Sequence, residues 1–221
     1  MQKTPRQSTI WTVLTRLTKP FLNAYYVFEA DLSRPRPAFP AKPDFVVRLY
    51  RGEADLQPAI DALVPTGLTA ADVTARMQRG DMVAVGVVGD QPAAYTWASF
   101  SEANVKELGL KLYARPHEVI QYDTLVLKQF RRQGLQFSVN VPVLEYAQQN
   151  GYTRTLSWVN VLNRASCKNQ WKWGKKVLLT AIWLRIPGTR RRFTFSLGAS
   201  LESIFAKDNT QSVTTGESLS S

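Results

Sequence analysis

The chain holds one cysteine and one histidine in 221 residues. A single thiol, Cys167, rules out an internal disulfide framework and fits a reducing compartment. No set of residues has zinc-ligand spacing, and there is neither a Walker loop nor a Ser/His/Asp arrangement that spacing would support. Long apolar runs are missing too. None reaches the length that crosses a bilayer, and the N-terminus lacks the uninterrupted apolar segment and small-residue cleavage site of a signal peptide, so the expected location is the cytoplasm. Acidic residues are scarce at the start, with none before Glu29, and 17 acids face 28 lysines and arginines over the whole chain. The resulting net charge of +11 directs the protein toward anions: nucleotide cofactors, nucleic acid or an anionic membrane surface. Charge alone does not choose among them. A nucleic-acid partner is not expected, because no recognition motif or interleaved aromatic pattern accompanies the charge.

What is present suggests one domain with an appendage, long enough to bury a core. Residues 1–43 read as an N-terminal amphipathic segment and connector, 44–206 as the folded domain, and 207–221 as a polar, disordered tail. In the first segment Ile10, Leu14, Leu17 and Phe21 recur at helical spacing beside Trp11, with Lys3, Arg6, Arg16 and Lys19 supplying charge. This stripe suits either a helix packed on the domain or a second subunit, as in a homodimer, or a helix lying on a membrane. Pro20 should stop it, and Pro35, Pro37, Pro40 and Pro43 read as a semi-rigid connector. Arg190, Arg191 and Arg192 form a second basic cluster suited to phospholipid headgroups.

The domain should open with the strand DFVVRLY and continue with helices over 55–63 and 69–79, the second capped by Thr69 and ended by Gly80. MVAVGVVGD and QPAAYTWASF alternate about a Gly-Asp turn, the sequence form of an antiparallel hairpin. Residues 101–116 read as a polar, irregular loop bordering a binding cleft. Then come a strand (HEVIQYDTLVL), a basic turn (KQFRRQGLQ) and a helix over 136–150 that contains Pro142, where a kink or a late start is expected. A strand over 155–161, a helix over 163–173, the strand KVLLTAIWLRI and a last strand at RFTFSL complete the domain.

A strand that feeds a glycine-containing turn and then a helix makes an anion site, because the first helical amides lack internal partners and the dipole's positive end lies there. That site falls on Arg131, Arg132, Gln133, Gly134, Leu135 and Gln136. At these residues the chain resembles the GCN5-related N-acetyltransferase (GNAT) superfamily, whose pyrophosphate-binding turn reads Q/R-x-x-G-x-G/A. Arg131 and Gly134 match, and Gln136 departs from it. The family's second signature resembles N-x-x-S-x-x-x-Y-x-K-x-G-F. Asn163, Ser166, Lys172 and Gly174 match at that spacing, while Gln170 stands in place of the tyrosine and Lys175 in place of the phenylalanine. The resemblance covers roughly 45–185 and rests on two signatures in order.

The resemblance implies an α+β acyl-CoA N-acyltransferase fold with a central mixed, mostly antiparallel sheet flanked by helices. It implies acetyl-CoA or another acyl-CoA as co-substrate, no metal, and direct attack by the amine of a small acceptor such as an amino sugar or amino acid. In the family the pantetheine arm lies along the strand before the turn, here Leu125, Val126 and Leu127, and Asn163 and Ser166 complete the cofactor contacts. The family's base position on that strand corresponds to Gln121, which cannot titrate. Asp123, Glu118 and His117 are therefore the candidate bases, reached through a bulge that shifts the register. The general acid is missing at Gln170, with Tyr122 and Cys167 as substitutes. The alternatives are a non-catalytic acyl-CoA-binding module and an enzyme using a longer-chain or carrier-protein-bound donor.

Overall fold

The computed structural model describes residues 22–35, 44–105, 109–186, 192–199 and 205–206. The amphipathic stripe through Phe21, the prolines from Pro37 to Pro43, Arg190, Arg191 and the 207–221 tail lie outside them. Among the described residues no helix is long and apolar enough to cross a membrane.

The fold class is α+β. Strands β1 (Leu22–Asp31), β2 (Phe45–Arg51), β3 (Met82–Val88), β4 (Gln91–Ser99), β7 (Glu118–Val126), β8 (Arg154–Asn160), β9 (Lys176–Arg185) and β10 (Arg192–Gly198) form one sheet in the order β10-β9-β1-β8-β7-β4-β3-β2. Every neighbouring pair is antiparallel except β7 and β8. Helices α1 (Leu56–Leu63) and α2 (Ala70–Gln78) follow β2, α3 (Leu135–Gln149) follows β7, and α4 (Arg164–Lys172) follows β8.

The middle of the sheet is covered on both faces, which explains its continuous apolar runs. Along β3, Met82 and Ala84 join Val139, Val143 and Leu144 of α3, whereas Val83 and Val85 join Ala59, Leu63, Val73 and Met77 of α1 and α2. Helix α3 runs unbroken through Pro142, without the late start that a proline can impose. Thr69 caps α2, its hydroxyl accepting from the Asp72 amide at 3.1 Å.

Two expectations need correction. Leu22–Asp31 was expected to precede the domain, yet β1 is an interior strand hydrogen-bonded to β8 on one side and β9 on the other. Its aromatic and β-branched run, with Tyr25, Val27 and Phe28 buried, suits such a strand. The domain therefore begins no later than Leu22. The 101–116 stretch is not irregular: β5 (Glu102–Val105) and β6 (Leu110–Tyr113) pair as a hairpin, and β11 (Phe205–Ala206) adds a third strand. Ala103, Val105 and Leu112 are fully buried against Val27, Ile120 and Leu156 of the main sheet, so this hairpin is a lid on the core.

Candidate active site

The one parallel pair defines the site. β7 and β8 are in register only from Glu118–Arg154 to Ile120–Leu156, and beyond that point β7 pairs with β4 alone. The strands part there, leaving a cavity of about 710 Å³ lined by Gln121, Asp123 and Thr124 of β7, Ser157 and Asn160 of β8, Gln136 and Asn140 of α3, and Ser166 and Gln170 of α4. One end lies at the start of α3. Gly134 adopts φ 77° and ψ 0° there, a left-handed conformation that favours glycine, and no side chain caps the helix. The Phe137 amide turns back to the Gly134 carbonyl at 2.9 Å, and the amides of Leu135 and Gln136 are left for an anion. Arg132 also has positive φ, at 65°, and both arginines are exposed, with Arg131 Nε donating to the carbonyl of Val126 at 3.1 Å.

Gln136, the departure from the glycine turn, is put to structural use. Its Oε1 accepts from Asn169 Nδ2 at 2.7 Å, tying α3 to α4, and its carbonyl accepts from Asn140 Nδ2 at 2.6 Å. Gln121 Nε2 in turn donates to Asn140 Oδ1 at 3.2 Å, so neutral polar groups cross the cleft floor from α4 to β7. Leu135 is buried in the core, Gln133 is exposed, and Leu127 donates its amide to Ala93 at 2.9 Å. Asn163 caps α4, its Oδ1 accepting from the Ser166 amide at 3.1 Å, and Asn163 and Ser166 both line the cavity. The cofactor candidates at Leu125 and Val126 lie on the part of β7 that β8 has left.

The three candidate bases are not brought together. His117, at φ 66°, packs its Nδ1 3.0 Å from the carbonyl of Gly151, at the opposite end of β7 from the turn. Glu118 is buried and fully engaged: it accepts from Arg154 Nη1 at 2.6 Å and from the Arg115 amide at 3.0 Å, while Arg154 also holds Glu29. Neither residue lines the cleft. Asp123 does. The bulge is present, since Thr96 on β4 faces both Asp123 and Thr124 between the Trp97–Tyr122 and Tyr95–Leu125 pairs, and Asp123 sits at φ 47°. Its carboxylate is held by Arg76 of α2 at 2.6 Å, and Arg76 itself lies over Trp97 and Tyr122.

The substitute acids fare no better. Tyr122 donates to the buried Asp81 at 2.5 Å, and burial followed by the Asp81 charge holds its hydroxyl well above the usual tyrosine range. Cys167 is buried, its thiol pushed up by burial, and it donates to the carbonyl of Asn160 at 3.6 Å.

The sequence singles out Lys175 as a departure from the family signature but does not reveal its burial. The end of α4 explains its position: the Gly174 amide donates to Trp171 and the Lys175 amide to Gln170, at 2.9 and 3.1 Å, with Gly174 at φ 72°. This double closure turns the residue after the glycine inward, normally to make an apolar contact. Here the inward residue is a lysine, only 6% exposed. Its Nζ donates to Gln121 Oε1 at 2.9 Å and Ser157 Oγ at 3.2 Å, and burial among neutral groups lowers its pKa to about 7. The signal was a lysine at the position where the resemblance calls for phenylalanine.

A mostly antiparallel sheet, opened at one parallel pair beneath a helix that starts at a glycine turn, is the α+β architecture expected above, a central mixed sheet flanked by helices. Among solved structures the chain is similar to a GCN5-related N-acetyltransferase from Sphaerobacter thermophilus at 13% identity and TM-score 0.48, covering 75% of this chain and 53% of that one. It is similar to another from Kribbella flavida at 14% identity and TM-score 0.48, covering 80% and 64%. An aminoglycoside acetyltransferase from an uncultured soil sample matches at 11% identity and TM-score 0.43, covering 58% and 86%. The chain spans only 53% and 64% of the length of the two GCN5-related N-acetyltransferases. No protein-family model and no curated protein matches the sequence.

Proposed function

We propose that this chain is an acyl-CoA-dependent N-acyltransferase that moves an acyl group, acetyl in the simplest case, to the amine of a small acceptor. The observation that carries this reading is the opening between β7 and β8 that ends at the uncapped start of α3. The donor set fits the co-substrate. Open amides beside Arg131 and Arg132 suit a pyrophosphate, and the β7 edge released by β8 suits an extended amide-bearing arm. The arm would lie along Leu125, Val126 and Leu127, with Asn163 and Ser166 at the far wall of the cleft. Holding the thioester carbonyl and the acceptor amine together in a cleft supplies much of an aminolysis rate through orientation alone.

The finer parts of the reading are a cytoplasmic enzyme, a domain that adds β1 to the expected 44–206, and a basic apolar stretch before residue 22 for contact with an anionic membrane or a second copy. Gln170 and Gln121, neutral where a proton must move, favour a second reading as an acyl-CoA-binding module. Titration calorimetry with coenzyme A and acetyl-CoA, followed by a thiol-release screen over amino sugars, amino acids and polyamines, tests both. Binding with turnover establishes the enzyme, and tight binding with no release for any acceptor leaves the module. A protein that binds neither ligand at millimolar concentration refutes both readings.

A further inference from the structure

The buried lysine at the fork of the sheet has no structural counter-charge, and that calls for an explanation. Among the described residues Lys175 forms no ion pair. An amine taken out of water with only neutral acceptors around it destabilises the fold whenever it is protonated, so a methionine or phenylalanine there would serve packing better. The position is also chemically pointed. Both acceptors of Nζ, Gln121 and Ser157, line the cleft from its two walls, and Ser157 passes its own hydrogen bond to Gln170 Oε1 at 3.3 Å.

We propose that Lys175 is the proton-transfer residue of this cleft, accepting the proton that an acceptor amine loses on attacking the thioester. The proposal rests on the acyltransfer reading given above. The amine nitrogen forms a bond to the acyl carbon, the neutral Nζ takes one proton from that nitrogen, and the carbon–sulfur bond breaks. The proton then passes from the Nζ ammonium to the departing thiolate, so that amide, thiol and neutral lysine are left and no other reactant is needed. Burial lowers the amine's pKa to about 7, close to the value at which one group can both accept and return a proton. The groups facing it from β7, β8 and α4 are the neutral Gln121, Ser157 and Gln170. Of the charged groups around it, Asp123 lines the cleft and is paired with Arg76, while Glu29, Asp31, Arg34, Arg154 and Lys176 line a separate cavity on its other side. Glu29 and Arg154 pair with each other there, as do Asp31 and Arg34.

The test uses the full chain and Lys175→Met, which keeps length and apolar bulk. Nuclear magnetic resonance of the lysine side chains, with the variant assigning the signal, should show Lys175 titrating near 7 in the ligand-free protein. Coenzyme A affinity by calorimetry should stay within about twofold. Turnover should fall on the order of 10²- to 10⁴-fold, and the wild-type rise of kcat/KM with an inflection near 7 should vanish. Lys175 titrating in the ordinary lysine range overturns the proposal. So does a variant with the wild-type rate and pH profile, which would leave the acyltransfer reading standing. Failure of the wild type to bind coenzyme A instead sinks that reading, and the lysine's role with it. If the variant does not fold, the wild-type titration and pH profile decide.

Discussion

Gly134→Asp separates anion binding from folding at the turn before α3. The left-handed conformation of Gly134, φ 77°, costs an ordinary residue about 1 kcal/mol, and aspartate tolerates it better than most. No heavy atom lies within 4 Å of the position its Cβ would take, so there is no clash to add. An acid at a helix start gains about 0.3–1 kcal/mol from the dipole, which nearly offsets the backbone cost. Stability should therefore fall by less than about 1 kcal/mol. The phosphate meets the opposite situation, since a carboxylate now stands where the open amides and two arginines would draw it. Two unit charges about 5 Å apart repel by about 3 kcal/mol at an effective dielectric of about 20. Even half of that weakens binding roughly tenfold. Calorimetric titration with coenzyme A, run beside denaturant unfolding, reads both quantities. Gly134→Ala is the control, because it carries the left-handed cost without the charge. Equal affinity in wild type and Gly134→Asp would refute the phosphate-turn assignment, and an alanine variant as weak as the aspartate one would replace charge with backbone strain as the cause.

Removing Arg154 should leave the buried Glu118 without its cation, costing about 3–5 kcal/mol in denaturant unfolding while leaving turnover per folded molecule unchanged; an activity loss without destabilisation would return Glu118 to the list of bases. Phe28→Ala should cost about 3–5 kcal/mol, since the side chain is fully buried, and a loss under about 1 kcal/mol would show that β1 is not an integral strand. Gln170→Tyr should leave acceptor KM similar and change kcat modestly, upward where the hydroxyl reaches the leaving sulfur; steady-state kinetics decides. Lys175 should also mark the pH dependence of stability. Below pH 7 the amine is charged in both states and the folded one bears the whole burial penalty; between about 7 and 10.5 only the unfolded chain still holds the proton, so the penalty fades as pH rises. Wild type should gain stability on Lys175→Met across that window, and parallel curves would show an ordinary, solvated lysine.

The site's frame was legible because its signals are local. Alternation in β7, the glycine before α3 and the asparagine cap of α4 each act over a few residues, and those elements formed within a residue or two of the expected ends. β1 was not legible in its role, because nothing in LNAYYVFEAD states that its partners lie more than a hundred residues away. The 102–113 hairpin escaped because its strands are only four residues each and lack a strong turn dipeptide. The candidate bases could not be ranked for a related reason. Glu118 and Asp123 stand in sequence as carboxylates that could be solvated or ion-paired, and only the fold brings Arg154 and Arg76 to them. Lys175 was hidden by its neighbours, since a lysine between Gly174 and an exposed Lys176 looks like solvated surface until the helix closure turns it inward.

The placement of β1 also bears on how the chain is made. A ribosome releases this apolar strand more than a hundred residues before either of its hydrogen-bonding partners, β8 and β9. Until then Tyr25, Val27 and Phe28 belong to a strand with two open edges, the arrangement most prone to pair with a neighbouring chain. A nascent chain stalled before Arg154 should consequently depend on chaperones, and truncated products should be found in inclusion bodies while the full-length protein stays soluble. A circular permutant that starts at α4 and delivers β9 and β1 in succession would shorten that wait, and should fold faster with the same finished sheet.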